Sequence, residues 1–369
     1  MSHRKLPPRG HSHQTPLAPR LHTAPGSGIV PRMRQHLLWI GLVALAACEP
    51  GPTTPAGEWT VPFKALDGAL LSVWGTGSDD VWSVGADVGD GPTVLHYDGA
   101  AWTRHPTGAT GTLWWVAGHG DGVWMSGEAG LVLRYDIPSN TFEPHPTPTP
   151  ERLYGIIPFS DTDVWTVGAA DNGLGGVVYR WDGSDWSVPD GLTAELTADL
   201  GFFKIWGPSA DDLWIVGDGG AALHRSGGAW ERLEVAGGGT KLFTVHGRGD
   251  VVIGVGGAFQ GLIVELAPGT VTDVTPPISE AEVMQLNGVY VGAKATIAVG
   301  AQGTVWQRDD AGKWSQDADA PETPRDYHSA YVDPDGGLWA VGGTLLSDPP
   351  TDGVLAHFGQ PLKSTSIEE

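Results

Sequence analysis

The sequence predicts an all-β chain, and three observations carry that prediction. Short apolar runs rich in Val, Trp, Leu and Tyr alternate with Gly, Asp and Ser clusters, as in residues 70–104, LLSVWGTGSDDVWSVGADVGDGPTVLHYDGAAWTR. Runs of that length and composition, bounded by turn residues, read as strands. One of them, Val81-Trp82-Ser83-Val84-Gly85, recurs as Val123–Gly127, Val164–Gly168, Leu213–Gly217, Val252–Gly256, Thr296–Gly300 and Leu338–Gly342. The closing glycines of these seven copies are spaced 42, 41, 49, 39, 44 and 42 residues apart. A period of about 40–45 residues with four strands per unit is the signature of a propeller blade. The expected fold is therefore a seven-bladed β-propeller of four-stranded antiparallel blades.

The other strands of the unit can be placed in turn. Val73-Trp74-Gly75, Val116-Ala117-Gly118, Ile205-Trp206-Gly207 and Val245-His246-Gly247 mark the first strand. Trp102, Phe142, Trp186, Trp230 and Trp314 mark the fourth; the fifth unit lacks this aromatic. The seventh unit ends after its third strand, residues 353–358, and a polar tail of 361–369 follows. Its missing strand is expected at the other end of the chain, where Glu58-Trp59-Thr60-Val61 matches Ala101-Trp102-Thr103-Arg104. An N-terminal strand around Trp59 would close the ring and leave no unpaired blade edge between the two termini.

The propeller is thus assigned to residues 58–360, and the segments before it read differently. Residues 1–32 are rich in Pro, His, Arg and Ser and hold no acidic residue, a composition that does not build a core. They are expected to be an upstream, disordered extension, with Met33 the expected start. Residues 33–47 carry a short basic region and an apolar run too short to span a membrane, the pattern of a secretory signal peptide. The run ends in Leu45-Ala46-Ala47-Cys48, and Cys48 is the only cysteine of the chain. This resembles the bacterial lipoprotein signal, which implies cleavage before Cys48 and lipidation of that residue. Glu49 after it resembles sequences sorted to an outer membrane. Residues 48–57 are a Pro/Gly/Thr tether, extended rather than folded. With no cysteine after Cys48, the fold is expected to use no disulfide.

Charge narrows the partners. Of 21 Lys and Arg, six lie in the first 47 residues, leaving 15 against 43 Asp and Glu in the remainder. Such a chain repels nucleic acid and anionic lipid headgroups. Solubility outside the cell is the plain consequence, and affinity for cations or basic partners the sharper one.

Candidate catalytic and metal-binding groups disperse once the repeat is aligned. His96, His224 and His357 share one third-strand position with Arg134, Arg180, Glu265 and Gln307. Equivalent positions on separate blades do not converge, whereas a metal needs several ligands around one point. Asp80, Asp163 and Asp212 precede the second strand, where aspartate is expected to bond turn N–H groups. Asp333-Pro334-Asp335-Gly336 starts like a calcium loop but lacks the later ligands. A Gly-x-Ser-x-Gly elbow and a phosphate-binding Gly-rich loop are both absent. No cofactor, no metal and no enzymatic activity are expected.

The unit running from Trp74-Gly75 through Asp80-Val81-Trp82-Ser83-Val84-Gly85 to Tyr97-Asp98-Gly99 and Trp102 resembles the repeat of secreted bacterial lipoproteins of propeller type. It is distantly similar to tectonin-type lectin repeats and sialidase-like propellers. The sialidase Asp-box is not reproduced, since Ser78-Asp79-Asp80-Val81-Trp82 lacks its glycine. The resemblance implies a cell-envelope or extracellular lipoprotein, anchored in the membrane through Cys48, monomeric, and bound to a protein or glycan.

Long loops on rigid scaffolds tend to carry function. The second-to-third-strand loops are long in blade one (86–91), blade three (169–173) and blade seven (344–353), and tight in blades two, four and six. The expected ligand-binding residues are therefore Asp87, Asp90, Asp171, Asn172, Asp348 and Asp352, an acidic rim across blades seven, one and three. Two classes of function fit: a protein-binding or assembly scaffold, and a carbohydrate-binding module. A propeller hydrolase is the third. Trp115, Phe202 and Phe259 are the aromatics that fall outside the strictest repeat positions.

Overall fold

The computed structural model describes residues 57–368, apart from 171–174, 198–199 and 236–239. Seven antiparallel sheets succeed one another along the chain. Their innermost strands are Leu70–Gly77, Leu113–His119, Arg152–Ser160, Phe202–Ser209, Leu242–Arg248, Leu286–Val291 and Asp326–Val332. Each packs against the innermost strands of its two neighbours, and the last packs against the first. The expected seven-bladed ring is the observed fold. Among the described residues the only α-helix is the single turn Ala194–Thr197.

The recurring pentapeptide is the second strand of every blade, and its composition follows from being covered on both faces. Val81 packs towards blade seven, in a cluster with Trp339, Tyr331 and Val341. Trp82 and Val84 pack towards blade two, with Val116, Val123 and Leu133. A strand alternates its side chains between faces, and here both faces are core, so the run is mostly apolar; its one polar side chain, Ser83, is buried and donates to Ser72 O at 3.0 Å. The closing glycine has its own cause. A Cβ on Gly85, Gly127, Gly168, Gly217, Gly256, Gly300 or Gly342 would lie 1.8–2.4 Å from a backbone oxygen at the start of the innermost strand. No other residue fits between the two strands there.

Blade seven is completed as expected. Glu58–Gly68 pairs with Thr351–Gly359, with Trp59 opposite Phe358, just as Trp102 stands opposite Tyr97 in blade one. Two details differ from expectation. Trp59 is only half-buried, whereas Trp102 is fully buried. Trp59 leans on Phe358 and its indole N–H donates to Asp317 Oδ2 at 3.1 Å. The deeper anchor of the closing strand is Phe63, which is 6% exposed and meets Trp102 edge-on at 5.4 Å. The second difference is the tail. Ile367–Glu368 adds a fifth, parallel strand outside Trp102–Thr103, and Leu362 and Ile367 pack on the cluster around Trp102. The tail gives Trp102 cover that Trp59 lacks, but Trp314 of blade six is 3% exposed without any, so the half-exposure of Trp59 belongs to the closing strand itself.

Candidate functional site: the central channel

The acidic loops of blades one and seven do adjoin: Ala69 N donates to Pro350 O at 3.1 Å, and Ala86 N to Ala69 O at 3.0 Å. Two of their carboxylates are taken up by the loops themselves. Asp87 accepts from the N–H groups of Gly111 (2.8 Å), Gly89 (2.8 Å) and Gly91 (3.1 Å), which hold its pKa below the usual carboxylate range. Asp352 accepts from the Thr344 hydroxyl at 2.9 Å and pairs with Arg325 at 3.2 Å. Asp90 and Asp348 are exposed. Asp171 and Asn172 lie outside the described residues, as does Cys48.

The aspartates before the second strand behave differently from expectation. They bond side chains across the blade rather than turn N–H groups. Asp80 Oδ1 accepts from Trp82 Nε1 at 3.1 Å and pairs with His96 at 2.8 Å, and the His96 bond leads in lowering its pKa. Asp163 takes Trp165 Nε1 at 2.9 Å and Arg180 Nε at 2.8 Å. Asp212 takes His224 at 2.9 Å, with Trp214 stacked on that imidazole at 4.0 Å. The reason is register. The second-strand Trp lies directly opposite the third-strand His or Arg, so a carboxylate two residues earlier reaches both. The histidines stay in separate blades, and among the described residues no three or more His, Cys, Asp and Glu are grouped to hold a metal.

The side chains that do converge surround the channel. Every innermost strand breaks register near its start, leaving one residue unpaired: Leu71, Trp114, Tyr154, Phe203, Phe243, Asn287 and His328. A β-bulge re-aims the extra residue, and seven in register form a collar. Trp114 meets Tyr154 edge-on at 5.2 Å and reaches past blade one to His328 at 5.9 Å. Tyr154 meets Phe203 at 5.5 Å, and Phe203 stacks on Phe243 at 5.8 Å. Sequence reading passed over this collar because an aromatic after Leu or Phe looks like ordinary core. The available signal was the repeated doublet that opens these strands: Leu113-Trp114, Leu153-Tyr154, Phe202-Phe203 and Leu242-Phe243. Of the three aromatics singled out from sequence, Phe202 is core, Phe259 is exposed and Trp115 lines the channel.

Next to the collar, Lys204 is buried. Its Nζ donates to Tyr154 O at 2.8 Å and lies 4.3 Å from the Trp115 ring centroid. Burial brings its pKa down to about 7. His246 accepts the Val291 N–H on Nδ1 at 3.0 Å, and burial brings its pKa down to about 3. Further along, the channel widens into a cavity of 280 Å³ lined by Trp74, Trp115, Phe159, Trp206, His246 and Tyr290, among others. It lies at the end where the innermost strands turn back into the second strands, opposite the acidic loops of blades one and seven.

No family model matches the chain, and no curated protein matches it in sequence. Solved propellers match it in structure. YCF48 from Cyanidioschyzon merolae superposes with a TM-score of 0.62 at 13% identity, over 82% of this chain and 98% of that one. YCF48 bound to D1 peptide gives 0.60 at 15% identity, over 82% and 97%. The WD40 β-propeller domain of Doa1 gives 0.61 at 12% identity, again over 82% and 97%. Identities this low speak to the fold alone, since one fold hosts many functions.

Proposed function

We propose that the chain is a non-catalytic interaction module of the cell envelope, which binds a segment of a protein partner and is held at a membrane by lipid on Cys48. The observation that carries the binding part is the channel: a cavity of 280 Å³ with aromatic walls, set in a rigid ring. Concave, mostly apolar sites with a few polar groups are where ligands bind. Likeness to a propeller solved as "YCF48 bound to D1 peptide" supports a peptide as the ligand class. The polar side chains that repeat around the ring are paired with one another, within a blade as His96 is with Asp80 or between neighbours as Glu265 is with Arg308, which favours binding over catalysis. The single cysteine after Leu45-Ala46-Ala47 supports the anchor, and the net acidity argues against nucleic acid as a partner.

A direct comparison tests the binding reading. The protein is offered to an array of short peptides and to an array of glycans, alongside Trp206→Ala and Trp114→Ala variants. Peptide binding that either variant weakens supports it; binding to glycans alone moves the function to carbohydrate recognition. The anchor is tested by labelled palmitate. Wild type should incorporate it and fractionate with membranes, and Cys48→Ala should do neither; a Cys48→Ala protein that still fractionates with membranes after cleavage refutes lipid anchoring.

A further inference from the structure

The channel mouth next to the cavity is ringed by the seven turns that join innermost to second strands. Six of those turns present an exposed aspartate: Asp79, Asp121, Asp161, Asp211, Asp250 and Asp335. Blade six presents Lys294 instead, and blade five adds Arg248. Arg134 lies 3.5 Å from Asp161 and Arg225 3.0 Å from Asp211, so those two are matched. Among the described residues, Asp79, Asp121, Asp250 and Asp335 form no ion pair. The opposite mouth differs. There Arg152 pairs with Glu128 at 3.4 Å, Lys241 with Asp218 at 2.8 Å and Arg325 with Asp352 at 3.2 Å. The opposite mouth thus holds three ion pairs beside the exposed Asp90 and Asp348, whereas this one sets four unpaired aspartates around an apolar hollow.

We propose that the acidic mouth takes a basic peptide segment, one of whose apolar or aromatic side chains enters the cavity while flanking lysines and arginines face the aspartates. This rests on the peptide-binding reading above and names its site and its ligand class. The volume, 280 Å³, falls just below the range of ligand pockets, about 300 to 1,000 Å³, and so suits a side chain better than a large ligand. The walls are Trp74, Trp206, Phe159 and Tyr290, which reward burial of apolar surface. Among the described residues no carboxylate lines the cavity, whereas the rim holds four unpaired ones, so the positive charge stays at the rim. Complementary rim charges steer encounter and select partners.

The test uses the full chain and two labelled pools of nonapeptides, read by fluorescence anisotropy. Both pools carry Leu, Phe or Trp at the centre; one is flanked by Lys and Arg, the other by Glu. The basic pool should bind at least tenfold more tightly than the acidic pool and weaken as salt rises. The combined variant Asp79→Asn/Asp121→Asn/Asp250→Asn/Asp335→Asn changes only exposed groups, so it should fold as the wild type does while losing at least tenfold in affinity for the basic pool. Replacing the central residue by Gly should weaken binding to wild type, and Phe159→Ser should shrink that difference. A basic pool that binds no better than the acidic one, or equally well to the combined variant, overturns the inference. If acidic or neutral peptides bind instead and Trp114→Ala abolishes their binding, a peptide-binding protein remains but its site is the other mouth. Binding of glycans and of neither pool removes both.

Discussion

The Trp-Gly pairs of the first strands encode a contact between blades, and substituting the glycine tests it. A Cβ placed on Gly118 of blade two would lie 2.1 Å from Cη2 and 2.5 Å from Cζ3 of Trp74, in blade one. Carbon atoms rest at about 3.5–4.0 Å, so in Gly118→Ala the indole must retreat by roughly 1.4 Å or more. Trp74 packs on the cluster of Trp82, Val116 and Val123 and lines the cavity, so moving the indole gives up those contacts. Overpacking of this kind costs about 1–3 kcal/mol. Gly118 does not have a positive φ, so alanine brings no backbone strain. With the indole gone, in Trp74→Ala, the same glycine substitution loses its clash and gains about 0.4–1 kcal/mol by restricting the unfolded chain. The second substitution should therefore change sign with background, giving a coupling of about 2 kcal/mol, within the usual range for touching residues. Urea denaturation of the four proteins of the cycle measures it. With an m-value of about 3 kcal/mol/M the coupling is worth roughly 0.7 M in midpoint. Additivity within about 0.5 kcal/mol would refute the contact as the reason for the glycine.

Two further expectations concern closure and acid. Phe63→Ala should cost about 3–5 kcal/mol, as a buried aromatic does, whereas half-exposed Trp59→Ala should cost less; urea midpoints in the reverse order would mean that the closing strand is held at its N-terminal end. His246 has a pKa brought down by burial to about 3, against about 6.5 in the unfolded chain. Its contribution to stability is thus complete above about pH 6.5 and lost progressively as pH falls towards 3, because a proton on Nδ1 would face the Val291 N–H. His246→Asn should flatten the fall in stability between about pH 6.5 and 4; an unchanged pH profile by urea titration would show that the imidazole plays no part.

The blade was legible because burial on both faces writes a mostly apolar run, and because Gly85 and its six counterparts meet a backbone atom that tolerates nothing larger. Completion of blade seven by the strand around Trp59 followed from the same alignment. Other features depend on register, which a linear pattern does not carry. Asp80 looked like a turn residue until Trp82 and His96 stood opposite each other. Leu71 and His328 differ in every chemical respect, yet both are bulge residues of the collar. Ile367–Glu368 is too short to show any period, so the tail looked merely polar. The aspartates of the proposed rim lay in plain view, one per turn, but only the ring gathers them around a cavity.

Closure by the first strand also sets an order of events. The Thr60 hydroxyl donates to the His357 carbonyl, 297 residues away along the chain. A flexible loop of that length would cost about 5 kcal/mol to close, but blades stacking in succession bring its ends together beforehand. The first propeller strand to be synthesised is therefore the last to find its partner. Contacts of such high sequence separation form slowly. Until then, the outer edge of Thr351–Gly359 and the apolar face of Phe63 have no cover. An incomplete chain, missing only its last blade, would carry an orphan strand at one end and an open ring at the other.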